Sequence, residues 1–132
     1  MQTLRIPDVA PVSRQTVFVV DDDEAVLNSL RFALEIEGFA VRLYGSDKEL
    51  LSEPAFPPGG CLVVDLRLPE RDGLAAVAEL RARGVTLPAI LITTAPSAIT
   101  RKRAAKAGVL IVEKPILGEG LVDTIRQVTG SA

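Results

Sequence analysis

Short unbroken apolar runs alternate along this chain with longer stretches in which apolar positions recur every three or four residues. Thr16-Val17-Phe18-Val19-Val20 and Cys61-Leu62-Val63-Val64-Asp65 are bounded by turn residues and charges. Such runs predict strands buried on both faces, the pattern of a parallel sheet. Leu87-Pro88-Ala89-Ile90-Leu91-Ile92-Thr93 and Val109 to Val112 predict two more strands. Ala40-Val41-Arg42-Leu43-Tyr44 alternates apolar and polar residues, which predicts a strand at a sheet edge.

The intervening stretches predict helices. The first places Val26, Leu27, Leu30, Leu34 and also Phe32 on its apolar side, with Asp23 as cap and Gly38 as stop. A short helix over 46–52 follows. A third turns Leu74, Val77 and Leu80 inward and ends at Gly84; a fourth over 97–107 has a weak apolar face. The last, over 118–128, turns Leu121, Val122, Ile125 and Val128 inward. Five strands alternating with five helices predict an α/β, doubly wound fold: one five-stranded parallel sheet with helices on both faces and right-handed crossovers. In the flavodoxin-like strand order 2-1-3-4-5, strands one and three meet at the topological switch point, where ligands bind such sheets.

Composition narrows the class. At 132 residues the chain fits one domain, and a net charge of −2 is too small to imply a nucleic-acid surface or a membrane patch. No apolar stretch reaches membrane-spanning length. Residues 1–15 carry Arg5, Pro7, Asp8 and Pro11 where a signal peptide needs an apolar core, so they read as a loose extension ahead of a domain over 16–130. A cytoplasmic location is the expectation. One cysteine and no histidine exclude a disulfide framework and nearly all zinc sites, and Cys61 reads as a small buried hydrophobe.

The candidate chemistry lies at the strand ends. Asp21-Asp22 follow strand one, Asp65 ends strand three, Thr93 ends strand four and Lys114 follows strand five. Each residue has a bland reading alone. Asp22-Asp23 can cap a helix, Thr93 can be an ordinary strand-end hydroxyl, and Lys114 can sit in a solvated turn. Arg101-Lys102-Arg103 is read as a wet helix face rather than a nucleic-acid patch. Together they converge on one crevice. Three carboxylates that close repel one another unless a cation sits among them, and an all-oxygen donor set suits a hard ion such as Mg²⁺. With Lys114 and Thr93 this describes a site for an anion held against a metal, phosphate above all, in which a carboxylate can also be the nucleophile.

Val19-Val20-Asp21-Asp22, Val64 to Pro69 with Asp72-Gly73, Leu87-Pro88 leading to Ile92-Thr93, Lys106-Ala107-Gly108 and Glu113-Lys114-Pro115 occur in order over about 16–128. This series resembles the receiver domain of bacterial two-component response regulators, in particular the nitrogen-fixation and LuxR-type group. The resemblance implies that Asp65 is the phosphoacceptor, supplied by a sensor histidine kinase, a phosphotransfer protein or a small phosphodonor. It implies that Asp22, Asp65 and the backbone carbonyl of Arg67 ligate Mg²⁺, or Mn²⁺ in its place, with Asp21 helping through water. Lys114 would pair with the phosphoryl oxygens, Thr93 would swing to hydrogen-bond them, and a cis peptide would precede Pro115. It further implies a switch rather than a turnover enzyme. Its helix 4–strand 5–helix 5 face would meet a downstream protein partner or a second copy, without direct contact to nucleic acid or membrane.

The chain departs from the pattern at four places. Ile111 stands where receivers commonly carry an aromatic residue, Thr94 where Ala or Gly is typical, and Ile116 where Phe is frequent; the stretch from Gly108 to Lys114 is also one residue short. Ile111 and the shortened stretch motivate an alternative, the same fold as a docking module insensitive to phosphorylation. A further alternative, a Mg²⁺-dependent phosphohydrolase of the haloacid dehalogenase type, would need a second Asp where Arg67 stands. A stand-alone protein and the front part of a longer regulator both fit the sequence.

Overall fold

The computed structural model describes residues 15–116 and 120–130. Its strands are β1 (Thr16–Val20), β2 (Ala40–Tyr44), β3 (Cys61–Asp65), β4 (Ala89–Thr93) and β5 (Leu110–Glu113); its helices are α1 (Glu24–Ile36), α2 (Asp47–Leu51), α3 (Gly73–Ala82), α4 (Ala98–Ala107) and α5 (Gly120–Thr129). The strands form one sheet in the order β2-β1-β3-β4-β5. Every neighbouring pair is parallel.

Alternation along each central strand divides the core in two. Phe18, Val20, Leu62, Val64 and Leu91 face one side, against Leu50 of α2 and Leu74, Val77 and Leu80 of α3. Val17, Val19, Val63, Ile90 and Ile92 face the other, against Leu27, Leu30 and Leu34 of α1 and Leu121, Val122 and Ile125 of α5. Each buried Val, Leu or Ile contributes about 1.5–3 kcal/mol relative to exposure. The sheet is thereby held rigidly enough to present its strand ends in fixed register.

Local signals behave as their chemistry dictates. Asp23 caps α1 by accepting from the Ala25 and Val26 amides, and Ser46, Asp72 and Ser97 cap α2, α3 and α4. Gly60 enters β3 at φ +98°, and a Cβ there would lie 2.0 Å from the Thr16 carbonyl oxygen, so only glycine lets the chain pass so close to β1.

The structure corrects four expectations. Phe32 lies on the solvent side of α1, 69 % exposed, because Leu27, Leu30 and Leu34 already fill the sheet-facing stripe. β4 starts at Ala89 rather than Leu87; Pro88 has no amide hydrogen for the ladder, though its carbonyl accepts from Leu62 at 2.8 Å. β5 starts one residue late, at Leu110, because the Val109 amide donates back to the Ala104 carbonyl and closes the left-handed turn at Gly108. α5 continues to Thr129, one residue past the expected end. Of the extension expected over 1–15, Gln15 is described and its carbonyl accepts from the Ala40 amide at 3.0 Å; the rest, and the helix start expected at Gly118, lie outside the described residues.

Candidate functional site

β1 and β3 pair with Val20 opposite Val64, so the residues that follow them emerge side by side at the C-terminal edge of the sheet. Carboxylate oxygens of Asp21, Asp22 and Asp65 lie within 4.8 Å of one another. Asp21 and Asp65 are buried, whereas Asp22 is exposed. Asp21 is fixed from three directions. Its amide donates to the Tyr44 carbonyl at 3.1 Å, Oδ1 accepts from the Asp23 amide at 2.9 Å, and Oδ2 accepts from Lys114 Nζ at 3.0 Å.

Lys114 reaches this cluster from the end of β5. Its amide donates to the Thr93 carbonyl at 2.9 Å, extending the β4–β5 pairing by one bond, and the Lys114–Pro115 peptide is cis. Its ammonium lies between two carboxylates, 3.0 Å from Asp21 Oδ2 and 3.3 Å from Asp65 Oδ1. Thr93 is buried at the end of β4, and the adjoining Thr94 is exposed. Arg67 sits two residues past Asp65, exposed, in the loop that leads to α3.

The electrostatics are those of crowded like charges. Burial, and then the neighbouring Asp21 charge, push the Asp65 carboxyl above its ordinary range, with Lys114 offsetting part of the effect. Burial alone would lower the Lys114 ammonium. The Asp21 hydrogen bond and the Asp65 and Asp21 charges outweigh it and hold Lys114 above the ordinary lysine value. Three carboxylates against one ammonium leave two negative charges in excess in a small space. An oxygen-only donor set with that excess fits a divalent hard cation.

The structure therefore brings Asp21, Asp22, Asp65 and Lys114 into one cluster, with Thr93 and Arg67 on the elements that border it. It also contains features the sequence did not disclose. Gly73, first residue of α3, lies so close to β3 that a Cβ would stand 2.3 Å from the Asp65 carbonyl oxygen. Asp72 forms a two-bond ion pair with Arg103 of α4, at 2.8 and 3.1 Å. Asp47 of α2 is a third buried carboxylate, 0 % exposed, tied to the β3–α3 loop. An open groove of about 580 Å³ runs beside the cluster along α1, bordered by Asp23, Val26, Ala33, Thr94, Lys114 and Ile116. Thr94 and Ile116, two of the departures noted in the sequence, lie on its border.

A doubly wound sheet with a carboxylate–lysine cluster at its switch point belongs to the open α/β domains that bind ligands at that edge. The sequence model of the response regulator receiver domain matches residues 17–126, and the chain belongs to that family. The transcriptional regulatory protein FixJ of Rhizobium meliloti is 34 % identical over 113 residues, 85 % of this chain and 55 % of its own length. The response regulator protein TodT of Pseudomonas putida is 32 % identical over 111 residues, 83 % of this chain and 49 % of its own length. The chain thus spans about half the length of these curated relatives. Among solved structures, FixJ-N superposes with a TM-score of 0.79 at 31 % identity, covering 92 % of this chain and 98 % of that one. A CheY-like receiver domain protein from Methanospirillum hungatei gives 0.79 at 25 %, covering 87 % of this chain and 93 % of that one. Among the described residues no helix is long and apolar enough to cross a membrane.

Proposed function

We propose that this receiver domain accepts a phosphoryl group on Asp65, and that the modification changes what its α4–β5–α5 face binds. The observation that carries the reading is the position of Lys114, whose ammonium lies against both Asp21 and Asp65 within a cluster of three carboxylates. In the transfer a carboxylate oxygen of Asp65 forms a bond to phosphorus while the bond to the donor breaks. The donor leaves with that electron pair, and the product is an acyl phosphate.

Asp21, Asp22 and Asp65, with the Arg67 carbonyl, would hold Mg²⁺ or Mn²⁺, which supplies charge neutralisation for the transferring group. Asp21 keeps the Lys114 ammonium at the cluster, where one fixed positive charge meets the phosphoryl oxygens without reorganisation. Thr93 offers a hydroxyl from the neighbouring strand. The donor is a sensor histidine kinase, a phosphotransfer protein or a small phosphodonor, and the domain acts in the cytoplasm as a switch rather than a turnover enzyme. A second copy or a downstream protein is the partner of the modified face.

One observation favours a second reading, a docking module that phosphorylation barely changes. Ile111 of β5 is half-buried and packs against the core cluster below α3 and α4, and its aliphatic chain has no ring to swing. Fluorine-19 NMR with fluoroberyllate and Mg²⁺, a phosphoryl mimic, tests both. The first reading expects a bound resonance in the wild type, its loss in Asp65→Asn, and amide shifts across α4 and β5. A bound resonance with no shift beyond the cluster favours the docking module. Turnover of an aryl phosphate would instead favour a phosphohydrolase.

A further inference from the structure

Among the described residues three carboxylates are buried: Asp21 and Asp65 in the cluster, and Asp47 at the start of α2. A buried carboxylate is costly unless it is paired or hydrogen-bonded. The helix does not account for Asp47. Ser46 already caps α2 by accepting from the Glu49 amide at 3.0 Å, and a helix of five residues has little dipole to complement.

What faces Asp47 is the loop between β3 and α3. Oδ1 accepts from the Glu70 amide at 3.2 Å, and Oδ2 lies 3.7 Å from the Arg71 guanidinium. Oδ2 accepts no hydrogen bond among the described residues, so the carboxylate's partners are both supplied by this loop. The two ends of the loop are held independently. The Leu66 amide donates to Ile92 at 3.0 Å, the Gly73 amide donates back to Leu66 at 2.8 Å, and Asp72 is tied to Arg103. The middle, residues 67–71, is held where the Glu70 amide donates to Asp47. Arg67, whose carbonyl the metal reading assigns to the cation, lies three residues before Glu70.

We infer that Asp47 is a positioning residue, whose buried carboxylate fixes the middle of the β3–α3 loop and thereby the place from which Arg67 meets a divalent cation at Asp21, Asp22 and Asp65. This rests on the metal-dependent reading above. Groups behind a metal's ligands hold those ligands in orientation, and losing one typically lowers affinity by about 10–100-fold. A latch that served stability alone would leave cation affinity untouched once the domain is folded.

Two measurements test it, on wild type, Asp47→Ala, Asp47→Asn, Arg71→Ala and Asp22→Asn. Amide hydrogen exchange without metal reads the loop, and calorimetric titration with Mg²⁺ reads the site. Asp47→Ala is expected to speed exchange of the Glu70 amide while the β1 and β3 amides keep their protection, and to weaken Mg²⁺ binding by about tenfold. Asp47→Asn keeps an oxygen for the Glu70 amide and is expected to lose less. Arg71→Ala is likewise expected to lose severalfold, so both serve if Asp47→Ala does not fold. Folded Asp47 variants that bind Mg²⁺ as tightly as wild type overturn the inference. Wild type that binds no Mg²⁺, or binds it unaffected by Asp22→Asn, overturns the site reading itself, so the two failures are distinguishable.

Discussion

Lys114 and Asp21 lie 93 residues apart in the chain and 3.0 Å apart at the head of the sheet. The contact joins the end of β5 to the end of β1 across β3 and β4, so the strand order is what makes it possible. Asp21 is wholly buried, and Lys114 is the cation that compensates it. Lys114→Ala strands that carboxylate beside Asp22 and Asp65. The expected loss is about 1–3 kcal/mol, read by denaturant unfolding at pH 7, with recovery when Mg²⁺ is added.

Asp65→Asn is expected to act in the opposite direction. The Asp65 carboxyl titrates above its ordinary 3.8, chiefly through burial and then the Asp21 charge. A folded value above the unfolded one means the charged form burdens the fold at neutral pH, a burden relieved as pH falls through the folded value toward 3.8. The variant is expected to melt a few degrees higher than wild type at pH 7, and to lose the gain in stability that wild type shows on mild acidification. Melting curves between pH 4 and 7 check both.

Asp72 carries the opposite sign. The Arg103 hydrogen bonds, together with the Ala75 amide, hold its carboxyl below 3.8 against the cost of burial. Its contribution is present above the unfolded value and disappears as pH falls through the lowered folded one. Asp72→Ala removes both the α3 cap and the ion pair and is expected to cost about 1–2 kcal/mol at pH 7. Arg103→Ala, which leaves the cap intact, is expected to cost under about 1 kcal/mol because the pair is partly solvated. Unfolding of the two variants at pH 7 and below pH 4 distinguishes the contributions.

Gly73→Ala places a methyl group 2.3 Å from the Asp65 carbonyl oxygen and 2.8 Å from Val64 Cγ1. Backbone and core cannot both yield, so α3 must move away from the end of β3. A loss of about 1–3 kcal/mol in unfolding free energy is expected, with amide shifts concentrated at residues 64–73.

These predictions also mark how far the sequence could be read. β1 and β3 were legible to the residue because a strand buried on both faces leaves an unbroken apolar run that stops at a charge. β5 slipped by one because Val109 is apolar like a strand residue, yet its amide serves the turn that ends α4. The clustered residues Asp21, Asp22, Asp65 and Lys114 were legible because parallel strands carry their ends to one edge. Asp47 was not, since an acidic residue after Ser46 looks like any helix start and its burial depends on a loop 23 residues away. Nor was Arg103, which shares its pattern with the solvated face of α4.

Phe32 shows the limit of periodicity itself. α1 carries more apolar residues than its core stripe can hold, so spacing alone could not say which face Phe32 would join. Phe32→Ser is expected to change unfolding free energy by less than about 0.5 kcal/mol. Leu34→Ala, at a residue 1 % exposed on the same helix, is expected to cost about 2–5 kcal/mol.

The most direct test of the central claim is intact-mass spectrometry after incubation with acetyl phosphate and Mg²⁺, wild type beside Asp65→Asn. A gain of one phosphoryl group in wild type, absent from the variant and absent when the metal is chelated, is the predicted result. A gain that persists in Asp65→Asn would contradict it, as would no gain in a wild type that also fails to bind fluoroberyllate.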